Sequence, residues 1–437
     1  MSLGVVLTSC YLFPFELIYL PGVNFKMLMA GLSIPLLLVK MARRSDSLIE
    51  KDILIIALFT LPITVFSLLA NVVNGTNDYS FNYYFVSVFV WMGAGYFLVN
   101  VLKAIHGKVT MTLLINYLIA VCCVQCILAM VMQYFPSVQD TIDGMLGGKE
   151  MFMSDAGGRV HGIGCALDVA GGRFAAVLIM TAVIMGKVSS KEFLLLYLVA
   201  FILISVVGNM IGRTTTVGMI IALLYILLVL IKGRAAISSF GKTIMSVFVA
   251  ASVMAAVLYN TNDLFRENLR FGFEGFFSLV EKGRWETNSN NTLVEHMIVF
   301  PDNPKTWLVG DGYGANPTEN DPYYTGEKYH GFYKGTDIGY LRFIFFFGVF
   351  GMLSMIVFFA VMYSRCLSHH QGYKALLLML LVLNYLIWFK VTTDLLPIFA
   401  LFVILPVSDR DKVFINETPP NHPLPVQSRR DGEGAGE

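Results

Sequence analysis

The chain has 437 residues, of which 56% are hydrophobic and 14% charged, with a mean hydropathy of +0.67. Soluble domains carry roughly 25% charged residues, so this composition excludes an ordinary soluble fold and predicts an all-α polytopic integral membrane protein. A formal net charge of +1 gives no reason to expect a nucleic-acid partner.

A bilayer core takes about 20 helical residues to cross. The opening segment "MSLGVVLTSCYLFPFELIYL" lacks a basic leader and a small-residue cleavage site. It is therefore expected to be a retained first span over 2–20. Further apolar segments predict spans over 24–41, 53–72, 81–101, 111–134, 164–186, 192–210, 214–231, 243–259, 337–363, 374–389 and 394–407. The chain divides accordingly. Five spans occupy 1–134, a loop 135–163, four more spans 164–259, a long loop 260–336, and three spans 337–407. Cys122, Cys123 and Cys126 lie within the fifth segment without companion histidines, so they read as small packing residues rather than a zinc site. The tail 408–437 is rich in Pro, Gly and charge and is expected to be disordered.

Sidedness follows from the short loops. Arg43, Arg44 and Lys51, then Lys103 and Lys108, then Lys187 and Lys191 fall on alternate connections. Lys232, Arg234 and Lys242, then Arg365 and Lys374, then Arg410 and Lys412 continue the series. The excess of positive charge predicts that this face is cytoplasmic, with both termini on it. The opposite face then carries 73–80, 135–163, the hairpin at Arg213 and the loop 260–336. That last loop is too long for a connector and is expected to be functional. "NDLFRENLRFGFEGFFSLVEKGR" spaces phenylalanines among charges, which suits a helix lying in the membrane surface. "NNTLVEHMIVF" reads as a short helix stopped by Pro301, and "WLVGDGYGANP" as a glycine-rich turn. No internal or inverted repeat is visible, which disfavours a transporter.

Polar residues gather at the predicted outer ends of the spans. Arg159 and His161 precede the sixth. Arg173 lies roughly two turns inside it. Arg213 interrupts an apolar run at the seventh-to-eighth hairpin. His330 and Asp337 stand before the tenth span, and Arg342 about one and a half turns inside it. Lys390 and Asp394 border the last hairpin. A lone arginine at a span end is usually a snorkelling anchor, as expected for Arg266 and Arg270. Arg173 and Arg342 lie deeper, where a charge marks a site or an ion pair, and Asp168 is a candidate partner for Arg173 or Arg213. Several arginines with few acids suit an anion, and guanidinium groups bind phosphate in a forked geometry. An anion reached between helices suggests a lipid-linked phosphate.

Three stretches together resemble the superfamily of O-antigen polymerases and O-antigen ligases of the bacterial envelope. They are "GRVHGIG…GGRFAAVLIM", "VVGNMIGRTTTVGMIIALL", and "WLVGDGYG" followed by "TDIGYLRFIFFFGVFG". The likeness covers roughly residues 155 to 360, with Gly348 and Gly351 in the expected places. Ligases of this group carry a histidine–asparagine pair where this chain has Thr336–Asp337, so the resemblance favours a Wzy-type polymerase. It implies a GT-C-like membrane glycosyltransferase of the bacterial cytoplasmic (inner) membrane. Undecaprenyl-pyrophosphate-linked glycan would be both donor and acceptor, without cofactor or metal, and a chain-length regulator and a flippase would be partners. Arg213 and Arg159 would bind the donor pyrophosphate, with Arg173 or Arg342 assisting. Asp337 or His330 would orient or deprotonate the acceptor hydroxyl. The alternatives are a ligase that transfers glycan to lipid A core, and a flippase for the same lipid-linked oligosaccharide.

Overall fold

The computed structural model describes residues 1–42, 47–147, 159–188, 190–232, 237–317, 324 and 331–405. Arg43, Arg44, Arg234, Arg410 and Lys412 of the predicted basic face, His330, and the tail 408–437 lie outside the described residues. Among the described residues the regular structure is helical, with isolated bridges and no strand.

The helices run α1 Ser2–Leu12, α2 Phe25–Ala42, α3 Ser47–Asn74, α4 Tyr84–His106, α5 Met111–Tyr134 and α6 Pro136–Met145. They continue as α7 Leu167–Met185, α8 Lys191–Ile211, α9 Thr215–Lys232, α10 Ile237–Thr261, α11 Asp263–Gly272 and α12 Glu274–Lys282. The last are α13 Asn288–Thr292, α14 Pro304–Leu308, α15 Gly339–His369, α16 Lys374–Ile387 and α17 Leu396–Ile404. Six of them, α3, α4, α5, α7, α8 and α15, are long and apolar enough to cross a membrane. Other predicted spans give shorter apolar stretches, among them Phe25–Val39, Thr215–Ile231 and Ser246–Thr261. Leu54, Leu58, Leu61 and Val65 form an exposed apolar stripe along α3. Water would penalise such a stripe, whereas lipid accepts it. The protein is membrane-embedded.

The first predicted span is the largest departure. It is helical only to Leu12, because the residue before Pro14 is driven out of the helical region; Phe13 has φ −125° and ψ 70°. The chain then folds back, with the Phe25 amide donating to the Phe15 carbonyl at 3.1 Å. The predicted loops are also structured. α6 occupies part of 135–163, and the amphipathic stretch after 260 forms two helices, α11 and α12, rather than one.

α7 is the central helix, with nearly every residue from Ala170 to Met185 buried. Its small residues admit its neighbours at backbone range. A Cβ on Gly218 of α9 would stand 2.3 Å from Ala175 Cα, and one on Gly171 would stand 3.0 Å from the Gly212 carbonyl oxygen. Close approach through small residues is the usual means of packing helices in lipid, where apolar burial drives nothing.

α15 is broken at Phe347–Gly348, where Gly348 has φ 72°. The break is filled by the glycine-rich turn after α14. The amides of Asp311 and Gly312 donate to the carbonyls of Phe345 and Phe346 at 2.6 and 3.0 Å, so backbone groups freed inside a membrane helix are satisfied by protein. Buried Asp311 holds the turn. It pairs with Lys305 at 3.0 Å and accepts from Thr306 (2.7 Å) and Tyr333 (3.1 Å). A Cβ on Gly348 would lie 2.2 Å from the Leu308 carbonyl oxygen. Gly348→Ala should therefore destabilise the protein by about 1–3 kcal/mol, read as an earlier thermal unfolding in detergent. Gly31→Ala, at a site with open space around it, should leave unfolding unchanged.

Candidate anion-binding site

The hairpin between α8 and α9 is built by local hydrogen bonding. α8 ends on extended Gly212, and the amides of Thr215 and Thr216 close the turn onto the Gly212 and Arg213 carbonyls at 3.0 Å each. Three successive threonines then spread their hydroxyls. Thr214 donates to the Asp168 carboxylate, Thr215 to the Gly208 carbonyl at 3.0 Å, and Thr216 to the Asn209 side chain at 2.6 Å. The hairpin is thus clamped to α7 and α8, and it projects Arg213 toward the helices that follow α10.

There Arg213 meets Phe271 of α11. Its guanidinium carbon lies 4.4 Å from the ring centroid, and that of Arg159 lies 5.1 Å from the same ring. Two arginines from distant segments thus share one aromatic. α11 is held against α8 closely enough that a Cβ on Gly272 would stand 2.9 Å from the Asn209 backbone. Arg213 also forms an ion pair with Glu274, whose other oxygen accepts from the Asn288 amide at 3.0 Å. Burial pushes the Arg213 guanidinium below its ordinary value and Arg159 pushes the same way, while Glu274 and Asp168 oppose them. Beside this cluster is a cavity of about 170 Å³, lined by Arg213, Thr214, Thr216, Phe276, Trp285 and Lys390 among others. Lys390 bonds Asp168 at 3.0 Å. Asp168 therefore pairs with neither Arg173 nor Arg213, the partners expected from sequence. It joins Thr214 to Lys390 instead.

The other predicted residues stand elsewhere. Arg342 lies in the first turn of α15, not deeper, because that helix begins only at Gly339, after extended Ile338. It contacts Asp337 at 3.5 Å and donates to Thr392 at 3.2 Å and to the Gly314 carbonyl at 3.4 Å. Asp337, a candidate base, is thus paired with a candidate phosphate ligand. Arg173 is 7% exposed and lies over Phe13 and Trp91 at 5.6 and 5.7 Å. His161 is buried beside Gln139 at 3.0 Å, with Asp143 at 3.8 Å. The four arginines form one pair and two separate stations rather than a single cup.

The connector 388–395 between α16 and α17 reaches all three places. Lys390 touches Asp168, Thr392 touches Arg342, and Asp394 accepts from Tyr84 at 2.9 Å and interacts electrostatically with Arg173. Glu274 and Phe271 were legible in sequence only as members of an amphipathic helix; nothing in their spacing links them to Arg213 or Arg159. Among the described residues no group of three or more His, Cys, Asp or Glu side chains is arranged for a metal. The six cysteines are free, and five of them are buried.

No family model, curated protein or solved structure matches the chain. Fold and site together define an all-helical, membrane-embedded protein with a cationic cavity at one end of its bundle. The Arg213–Glu274 pair is only part-buried, and Glu274 competes with any anion for Arg213. Glu274→Gln should tighten binding of inorganic pyrophosphate by about five-fold in calorimetric titration of the solubilised protein. Arg213→Gln should remove binding at this site and with it the effect of Glu274→Gln.

Proposed function

We propose that this protein is a membrane glycosyltransferase that polymerises undecaprenyl-pyrophosphate-linked oligosaccharide repeat units at the outer face of the bacterial cytoplasmic membrane. The observation that carries this reading is the meeting of Arg213 and Arg159 on the Phe271 ring, beside a small cavity that Arg213 and Lys390 line. In this reading the bundle crosses the bilayer twelve times in a GT-C-like arrangement, with both termini cytoplasmic, and the cavity opens outward.

The chemistry asked of the site is modest. A glycosyl bond to a lipid pyrophosphate breaks as an acceptor hydroxyl attacks the anomeric carbon. The departing pyrophosphate carries the developing charge. Cations already fixed in place stabilise that charge without reorganising. Arg213 is held by Glu274 and stacked on Phe271, so it is such a cation. The acceptor side falls to the Asp337–Arg342 pair. Asp337 takes or orients the hydroxyl proton, and Arg342, 3.5 Å away, holds its carboxylate in place. α11 and α12 cover the cavity, so sugar selection lies with the 260–336 segment.

Deleting the gene should remove the surface-glycan ladder on a gel while single repeat units still reach their acceptor. Arg213→Ala should reproduce that pattern with normal protein levels in the membrane. Long glycan stranded on its lipid carrier would instead identify a ligase. Loss of all outward glycan, with repeat units accumulating inside, would identify a flippase.

A further inference from the structure

Arg173 poses a problem that the Arg213 cavity does not solve. It is 7% exposed and, among the described residues, makes no hydrogen bond or ion pair; its buried Nε in particular lacks any partner. Its neighbours are rings, Phe13 and Trp91. Lys26, at the start of α2, also lies over Trp91, its Nζ 4.6 Å from the centroid. Among the described residues Lys26 likewise makes no hydrogen bond or ion pair. The two cations repel each other, and the carboxylate that both feel is Asp394. Asp394 is already engaged, accepting from the Tyr84 hydroxyl at 2.9 Å and from the Leu396 amide at 3.1 Å. Two charges thus face one distant carboxylate in a poorly hydrated setting. An uncompensated buried charge is strongly unfavourable, so the arrangement calls for a further anion. The Trp91 ring is the contact that the two cations share.

We propose that Lys26 and Arg173 form a second phosphate station, which holds the pyrophosphate of the lipid-linked acceptor while Arg213 and Arg159 hold that of the donor. The two stations lie at the two ends of one connector, 388–395, whose Lys390 serves the first and whose Asp394 serves the second. The connector runs beside α7, where a Cβ on Gly172 would meet the Thr393 side chain at 3.7 Å, an ordinary packing distance. The geometry also gives the catalytic pair its place, because Thr392, between Lys390 and Asp394, holds Arg342 and through it Asp337. The assignment of donor and acceptor rests on the polymerase reading; the second anion site does not.

The test is calorimetric titration of the full-length solubilised protein with farnesyl pyrophosphate, a short prenyl pyrophosphate, with inorganic pyrophosphate and phosphatidylglycerol as comparisons. The wild-type protein should bind two equivalents of the prenyl pyrophosphate. Lys26→Gln should leave one equivalent, Arg213→Gln the other, and the double variant none. Arg173→Lys, which keeps the buried charge, should retain two equivalents with the second weakened about ten-fold, a difference of about 1.4 kcal/mol. One equivalent in the wild type, unchanged by Lys26→Gln, would overturn the second station while leaving the polymerase reading standing. Phosphatidylglycerol displacing the ligand from the Lys26 station alone would also overturn the acceptor assignment, since the site would then hold a bulk-lipid headgroup. Inorganic pyrophosphate filling both stations as tightly as the prenyl form would show that neither recognises a lipid chain. Two equivalents in a protein whose Arg213→Ala variant still polymerises normally would keep the two sites and sink the proposed function.

Discussion

The cationic end of the molecule depends on the α8–α9 hairpin closing onto the first two turns of α7 at backbone range. Gly171 takes the hairpin, and a side chain there would push it away, since a Cβ would stand 3.0 Å from the Gly212 carbonyl oxygen. The connector 388–395 meets the same turns through side chains, with Thr393 beside Gly172. With both seated, Asp168, one turn before, joins Thr214 of the hairpin to Lys390 of the connector. The cavity beside Arg213 exists because these segments meet around α7. Gly218 against Ala175 continues the same contact down the helix pair, so the mouth is an extension of the bundle's packing rather than a loop added to it.

Charge is handled in two ways at this end. Arg213, Lys390 and Arg342 each have a carboxylate, from Glu274, Asp168 and Asp337 respectively. These pairs are part-buried, which limits both their desolvation cost and their net contribution to stability. They fix geometry more than they stabilise the fold. Arg173 and Lys26 are held instead by aromatic faces. A ring orients a cation without neutralising it. A site kept in shape while its charge stays available is suited to an anionic ligand that comes and goes.

The break in α15 shows how the long loop becomes part of the membrane domain. Without Gly348 the helix would run on and the turn at 310–312 would have nothing to bond. With it, two freed carbonyls become acceptors for that turn. The turn is also tied to the end of α3, through Asn74 to the Gly310 carbonyl at 3.0 Å and Thr76 to the Gly312 carbonyl at 3.1 Å. Gly314, one turn onward, gives its carbonyl to Arg342. The loop therefore positions Arg342 as well as covering the bundle.

The apolar segments and the oddity of Arg213 in an apolar run were legible in the residues alone. Hydrophobic length and an isolated charge are local properties, and a bilayer reads them locally. Pro14 was also in plain view, and it ends the first helix although the apolar run continues past it. Partnerships were not legible. Phe271, which gathers Arg159 and Arg213, lies more than fifty residues beyond either in the chain. Asp168 was paired by proximity in sequence with the wrong arginines, because Lys390, its partner, arrives from more than two hundred residues away. Sequence by itself determined that the chain is helical, apolar and bears arginines where lipid tolerates few. Only the tertiary structure decided which of those arginines are compensated and which is not, because compensation depends on distances that packing alone sets.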